Sequence, residues 1–302
     1  MKLYSFPLST MGCACYLKFY GETEKKAQSV FDLCTEEANR LDKYYTNFSP
    51  NSFTAEINRS SGDPKGIIVD SETAALLDYA HHCYQQSDGL FDLTAGILYR
   101  AWNFQTETVK LPEQNLISEL LKRVGWDKVI WENPKLILPI SGMLLDFGGI
   151  VKEYAADRLA QICLDQDISH GFINMSGDIK VLGPHYETGE PWTIHIKNPR
   201  ENTLTPAAIQ ISQGALATSG DYERCVFINN KRYCHILNPK TGWPVFGLSS
   251  VTAVTDLCIV AGTVTTTALL KGKEQGLMWL SSLNIPYICY DNCGNQVGIQ
   301  LQ

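Results

Sequence analysis

Apolar residues along this chain recur at strand spacing in some stretches and at helical spacing in others. The two do not alternate in the regular order that builds a parallel sheet with crossover helices. That irregularity predicts an α+β arrangement, with mixed or antiparallel sheets packed against helices. Residues 1–20 alternate as one strand, ended by Gly21. From Glu22 to Tyr45, the residues Ala27, Val30, Phe31, Cys34, Ala38 and Leu41 form one helical stripe with charges opposite. Residues 47–63, rich in Ser, Asn, Gly and Pro, read as a loop with one short turn at 55–58.

A second helix is predicted to start at Asp70 or Ser71, whose side chains can cap the first free amides, and to run to about Gln86 before Asp88-Gly89. Its His81 and His82 are adjacent, so they point about 100° apart and make poor joint metal ligands. A third helix covers 113–124, and a hairpin turns at Asn133-Pro134. An apolar strand at 143–145 leads into a helix over 150–166. Strands follow at 171–174, 192–196 and 207–212, then a helix over 257–282 and a terminal hairpin turning at 292–294. There is no low-complexity linker and no internal repeat, so the 302 residues are expected to form a single domain, or two intimately packed lobes.

The formal net charge of -7, with no long basic run, argues against a nucleic-acid surface. No window approaches the length of a membrane span, and the amino terminus lacks the apolar stretch and cleavage site of a secretory signal. The ten cysteines form no CxxC pair, and most lie in apolar periodic segments, as small buried hydrophobes of a reducing compartment do. The expected location is cytoplasmic, or periplasmic if a signal segment has been removed.

The segment from Thr218 to Pro244 carries the strongest indication of chemistry. Gly220 and Gly242 are free to take conformations closed to other residues, and Pro239 fixes φ, so His235 is predicted where an irregular loop leaves a strand. Taken alone, His235 is better explained as a core histidine satisfied by a carbonyl, but it does not stand alone. In Asp146–Asp157, Gly148-Gly149 lets backbone amides approach a ligand at a helix start, which favours phosphate, with Lys152 and Tyr154 in the first turn. The pattern is neither GxGxxG nor GxxxxGK[ST], and close packing of strand on helix accounts for the glycines as readily. Asp178, held after Gly177, either accepts hydrogen bonds from an adenine or ribose or caps its turn. Leu90, Phe91 and Asp92 place an acid beside an aromatic, as a site for a flat ligand needs.

In order along the chain, Met11-Gly12, Thr46–Asn58 with Pro50, Ser52 and Asn58, Gly89–Trp102, Asp146–Asp157, Asn174–Asp178, Thr218–Pro244 and the helix 261–272 resemble one family. It is that of the FAD:protein FMN transferases, also called flavin transferases or ApbE-type proteins, and the resemblance covers nearly the whole chain. It implies a T-fold-like α+β enzyme with a flavin cleft between its lobes, which binds FAD with Mg²⁺ and splits the pyrophosphate. FMN would pass to a Thr or Ser in a short recognition motif of an acceptor flavoprotein, releasing AMP. The resemblance further implies flavin-nucleotide contacts at Met11, Leu90, Phe91, Asp92, Gly148, Tyr154 and Ile236, with Lys152 in the glycine segment and Phe48 where the family often has Tyr. It makes Asp178 the acid on the adenosine side and His235 the catalytic base.

The family's metal ligands, carried over in the same way, are an Asp and a Thr four residues apart on a helix, plus a backbone carbonyl. Thr266 keeps its place, Thr265 adds a neighbouring hydroxyl, and the carbonyl becomes that of Val151, but the Asp position falls on Gly262. Loss of the only anionic protein ligand should weaken magnesium binding. It leaves open an alternative in which the chain is a metal-impaired FAD-binding carrier, sensor or scaffold, or an FAD pyrophosphatase. Glu153 stands where the family has Gly after the lysine, and would either repel phosphate or replace the missing ligand from the opposite side. Milder departures are Phe53, where an acid usually follows the serine, and Asn238, where Asp often precedes Pro.

Overall fold

A computed structural model describes residues 1–102, 104, 110–200, 207–222 and 224–300. The run expected as one strand is a hairpin in which β1 (Lys2–Thr10) pairs antiparallel with β2 (Cys13–Gly21), Thr10 facing Cys13. Met11 (φ 53°) and Gly12 (φ 67°) make the turn, with positive φ at both central residues as tight hairpins prefer. A two-residue turn makes residues 10 and 13 partners on one face, so the buried positions pass from even numbers (Leu8, Thr10) to odd ones (Cys15, Leu17, Phe19), a shift of phase that an uninterrupted strand would not show.

Helix α1 (Glu24–Tyr45) is capped by the Thr23 hydroxyl and buries Ala27, Val30, Cys34, Ala38 and Leu41, the stripe read from sequence. The stretch read as loop contains α2 (Phe53–Arg59), capped by Ser52; with only Thr54 and Ile57 buried, it is too short to show a period. After β3 (Ile67–Ile68), α3 (Ser71–Gln86) begins as expected with Asp70 accepting from the Thr73 amide. A 3-10 helix (Leu93–Arg100) and α4 (Gln114–Leu121) follow. β4 (Ile130–Glu132) and β5 (Lys135–Ile137) form the anticipated hairpin, with β3 on the other edge of β5. His81 accepts from Trp126 Nε1 at 2.7 Å, a structural contact.

Residues 143–145, expected as a strand, pair with no strand. Their partner is one side chain: Asn58 Oδ1 accepts from the Leu145 amide at 2.7 Å and Nδ2 donates to the Leu145 carbonyl at 3.0 Å. Asn58 thus does for Leu145 what a neighbouring strand would, which lets the chain bury Met143, Leu145 and Phe147 before the turn that leads into α5 (Val151–Asp165).

The remaining elements are β6 (Gly171–Met175), β7 (Asp178–Gly183), β8 (Trp192–His195), β9 (Ala208–Ile211), β10 (Gly214–Gly220), β11 (Cys225–Ile228), β12 (Lys231–Cys234), β13 (Leu248–Thr255), α6 (Cys258–Ser282), β14 (Tyr287–Asp291) and β15 (Gln296–Gln300). An eight-stranded sheet has the order β1-β2-β6-β7-β10-β13-β14-β15, antiparallel throughout. Helix α5 packs on β6 and β7 and α6 on β10 and β13, while α1 packs on α5 and β1. The β8–β9 ladder buries Trp192, Ile209 and Ile211 with Phe172, Val181, Leu216 and Ile288, residues of the large sheet. Central strands buried in this way lose the in–out alternation that marks a half-exposed strand. β7, β10 and β13 were accordingly not visible as strands in the sequence. Among the described residues no helix is long and apolar enough to cross a membrane.

Candidate active site

His235 follows β12 directly, at the strand-to-loop junction the sequence pointed to. Its backbone is pinned from two sides: the His235 amide donates to the Arg224 carbonyl at 3.0 Å, and Tyr99 Oη donates to the His235 carbonyl at 2.9 Å. The ring continues the first contact, with Nδ1 3.1 Å from the same Arg224 oxygen. A carbonyl oxygen only accepts, so Nδ1 carries the hydrogen and Nε2 keeps its lone pair. Burial pushes the imidazole pKa down to about 4, and the Arg224 and Lys152 charges push the same way against the Arg224 hydrogen bond. His235 is therefore neutral near pH 7, with Nε2 as a free proton acceptor.

The loop beyond His235 is closed by Gly242, whose amide donates to the Asn238 carbonyl at 2.8 Å and whose carbonyl accepts from buried Trp102 Nε1 at 2.8 Å. Gly242 has φ 72°, and a Cβ there would lie 2.5 Å from Cγ2 of buried Ile117. Gly242→Ala is expected to lower stability by about 2–3 kcal/mol, from left-handed strain together with overpacking, seen as a lower Tm in a thermal melt. Gly220 departs from expectation. Its φ is not positive, and it is needed because a Cβ would lie 2.4 Å from the Tyr222 ring.

Three elements meet at an ion pair whose carboxylate is buried and whose lysine is half-buried. The turn Ser176-Gly177, with φ 56° and 101°, brings Asp178 to the start of β7, 2 % exposed. Lys152, in the first turn of α5, lies with Nζ 2.6 Å from Asp178 Oδ2, and the Thr218 amide of β10 donates to Oδ1 at 3.2 Å. Burial alone would lower the Lys152 pKa; the Asp178 and Glu153 charges reverse that and hold it well above the usual lysine value. No side chain caps the start of α5 at Ile150. Gly148 and Gly149 are exposed just before it, and a Cβ on Gly149 would touch only the Phe91 ring, at 3.7 Å. The Gly148 amide itself is occupied by Asp146 Oδ1, at 2.8 Å.

Beside this pair runs the middle of α6. Ser219, at the end of β10, has its hydroxyl 2.8 Å from Thr265 Oγ1 and 3.0 Å from Thr266 Oγ1. Ser219 was missed as a site residue, although it lies within the segment around His235; only the turn of β10 toward α6 reveals it. Glu153 reaches from α5 toward α6. Its side chain lies against Gly262, where a Cβ would meet Glu153 Cγ at 2.6 Å and Oε1 at 3.1 Å. Its carboxyl pKa is pushed up to about 8, by burial first and the Asp178 charge second, with Lys152 opposing both.

Not all residues named from sequence converge here. Tyr154 Oη donates to Glu72 Oε1 at 2.9 Å, and Glu72 is held by Arg40 of α1. Two residues apart on a helix, Lys152 and Tyr154 point to nearly opposite sides. Asp92 caps the 3-10 helix: Oδ1 accepts from the Thr94 amide and hydroxyl at 2.8 and 2.7 Å, and Oδ2 from the Trp126 amide at 3.1 Å. Phe91 is buried behind the glycines, and Leu90 is half-buried. Met11 sits in its turn with its amide on Asp42 Oδ2 at 2.9 Å; Phe48 is 88 % exposed. Ile236 packs on the cluster of Leu248, Val251 and Leu269, and Val151 opens α5. Among the described residues no group of three or more His, Cys, Asp or Glu side chains is arranged to hold a metal.

The family model of ApbE matches residues 11–289. An FAD:protein FMN transferase of Chlamydia pneumoniae is 29% identical over 263 residues, covering 85% of this chain and 80% of that protein. One from Klebsiella pneumoniae is 28% identical over 279 residues, covering 91% and 84%. The crystal structure of the ApbE protein of Thermotoga maritima superposes with a TM-score of 0.91 at 27% identity, over 99% of this chain and 97% of that one.

Proposed function

The chain belongs to the ApbE family, and from that membership and the geometry around His235 we propose that it transfers FMN from FAD to a threonine or serine hydroxyl of an acceptor protein, releasing AMP. The observation that carries this reading is a neutral imidazole with Nε2 unengaged, close enough to Lys152 to feel its charge. In the reaction a P–O bond forms to the acceptor oxygen, the bridging P–O bond to AMP breaks, and the hydroxyl proton passes to His235 Nε2. A hydroxyl is a poor nucleophile at neutral pH, so a positioned base removes a large part of the barrier.

The chain's own groups fit an anionic diphosphate next to that base. Lys152 is fixed and kept protonated by the negative charge of Asp178, and the start of α5 carries no side-chain cap, so its positive end is available to phosphate. Gly149 leaves room for close approach. Phe91 lines the floor behind it, and Asp178 orients Lys152 through a buried carboxylate that the Thr218 amide also holds. Magnesium, when bound, would neutralise charge on the diphosphate; the hard oxygens near it are the Thr265 and Thr266 hydroxyls and the Val151 carbonyl.

Incubation with FAD, Mg²⁺ and a threonine peptide should give flavinylated peptide by mass, with an equal amount of AMP. AMP without peptide labelling would instead make the protein an FAD hydrolase. The pH profile offers an independent check. With the His235 pKa lowered to about 4, the ring stays a competent base as pH falls through 6.5 and is lost only near 4. The acid limb of kcat/KM should therefore lie near pH 4. That of kcat should lie higher, because a bound diphosphate favours the protonated ring. A kcat/KM limb at 6.5 would mean that another group acts as the base.

A further inference from the structure

Glu153 and Gly262 are complementary in shape. The glutamate side chain, reaching from α5, fills the space that any side chain at 262 would occupy: an added Cβ would lie 2.6 Å from Glu153 Cγ, 3.0 Å from Cδ and 3.1 Å from Oε1. The Glu153 Oε2 atom is shut off from solvent and has no hydrogen-bond partner, and among the described residues no ion pair involves this carboxylate. Asp178 Oδ2 is likewise without a hydrogen-bond partner, although it lies 2.6 Å from Lys152 Nζ. A buried carboxylate oxygen requires a donor or a cation, and among the described residues no hydrogen bond reaches Glu153 Oε2.

Hard oxygens follow Gly262 along α6. Thr266 stands one helical turn beyond Gly262 on the same face of α6, tied to Ser219 at 3.0 Å, and Thr265 donates to the Gly262 carbonyl at 3.0 Å. A carboxylate with hydroxyls and carbonyls suits a small divalent cation, which commonly takes one or two carboxylates and fills the rest of its shell with water and phosphate. We propose that Glu153 provides, from α5, the anionic ligand that position 262 of α6 lacks, so that a divalent cation is held between Glu153 and the Thr266 hydroxyl. The inference rests on the transferase reading, for which that cation would sit against the diphosphate. It turns the glycine at 262 from a defect into half of a reciprocal exchange.

The test is Mn²⁺ binding, read from loss of the free-ion electron paramagnetic resonance signal with ADP present. Glu153→Gln should weaken binding at least about tenfold, the lower end of what loss of even an outer partner of a metal ligand causes. FAD affinity in a chelator, followed by flavin fluorescence, should change far less. Gly262→Asp alone should lower Tm by crowding Glu153, whereas the double variant Glu153→Gly/Gly262→Asp should restore both Tm and Mn²⁺ affinity. Wild-type Mn²⁺ affinity in Glu153→Gln, or a double variant that folds but binds no Mn²⁺, overturns the proposal. Failure of the transferase reading looks different: unaltered protein that neither binds FAD nor splits it.

Discussion

Replacing His235 with alanine is expected to reduce FMN transfer by about 10²–10⁴-fold, the usual contribution of a positioned general base, with the loss in kcat. The comparison that isolates the cause is His235→Asn. Asparagine has a side-chain N–H at about the position of Nδ1, so it can keep the hydrogen bond to the Arg224 carbonyl that orients the loop, but it offers no basic nitrogen in place of Nε2. Both variants should lose kcat alike and bind FAD as the unaltered protein does, since the base acts on the acceptor hydroxyl and not on the nucleotide. AMP release measured beside peptide labelling gives kcat. If His235→Asn retained transfer within tenfold of the unaltered rate, the histidine would be a loop anchor and the base would have to be sought elsewhere.

The parts of the fold legible in sequence were those where one face is wet. α1, α3 and α5 each carry a buried stripe against exposed charges, and α3 also has its Asp70 cap, so period and boundary agreed with the structure. The strands that build the site did not announce themselves. β7 and β10 lie in the middle of the sheet, and β10 reads Gly-Ala-Leu-Ala-Thr-Ser-Gly, small residues chosen to let α6 come close. The site divides in the same way. His235 was visible because glycines and a proline punctuate its loop, whereas Ser219 and the Glu153–Gly262 contact depend on which faces of β10, α5 and α6 meet, and no local pattern encodes that. Tyr154 depends on the same meeting of faces: it lies two residues from Lys152, but the helical rotation between them sends its hydroxyl to Glu72.

Lys152→Met should destabilise the fold by about 3–5 kcal/mol at neutral pH, the range found when one partner of a buried ion pair is removed. Methionine matches the length and apolar stem of lysine, so packing is nearly kept and the loss is electrostatic. It would leave Asp178, 2 % exposed, and the buried Glu153 carboxyl without the cation that now offsets both. The pH dependence has a definite sign. Glu153 already has its pKa raised to about 8 by burial and by Asp178, and removing Lys152 raises it further, so the folded variant binds a proton that the unfolded chain releases. The variant's added deficit from Glu153 therefore appears above about pH 8, where the unaltered protein ionises this carboxyl, and is lost as pH falls below it. The double variant Lys152→Met/Asp178→Asn removes charge from both sides and should recover most of the lost stability, because replacing a buried pair is far less damaging than breaking it. Chemical denaturation of the four proteins at pH 6 and pH 9 gives the full cycle. Additive losses would mean that the 2.6 Å contact between Lys152 and Asp178 carries no coupling. A large positive coupling at pH 9, reduced at pH 6, would mean that this pair holds α5 to the sheet beside His235.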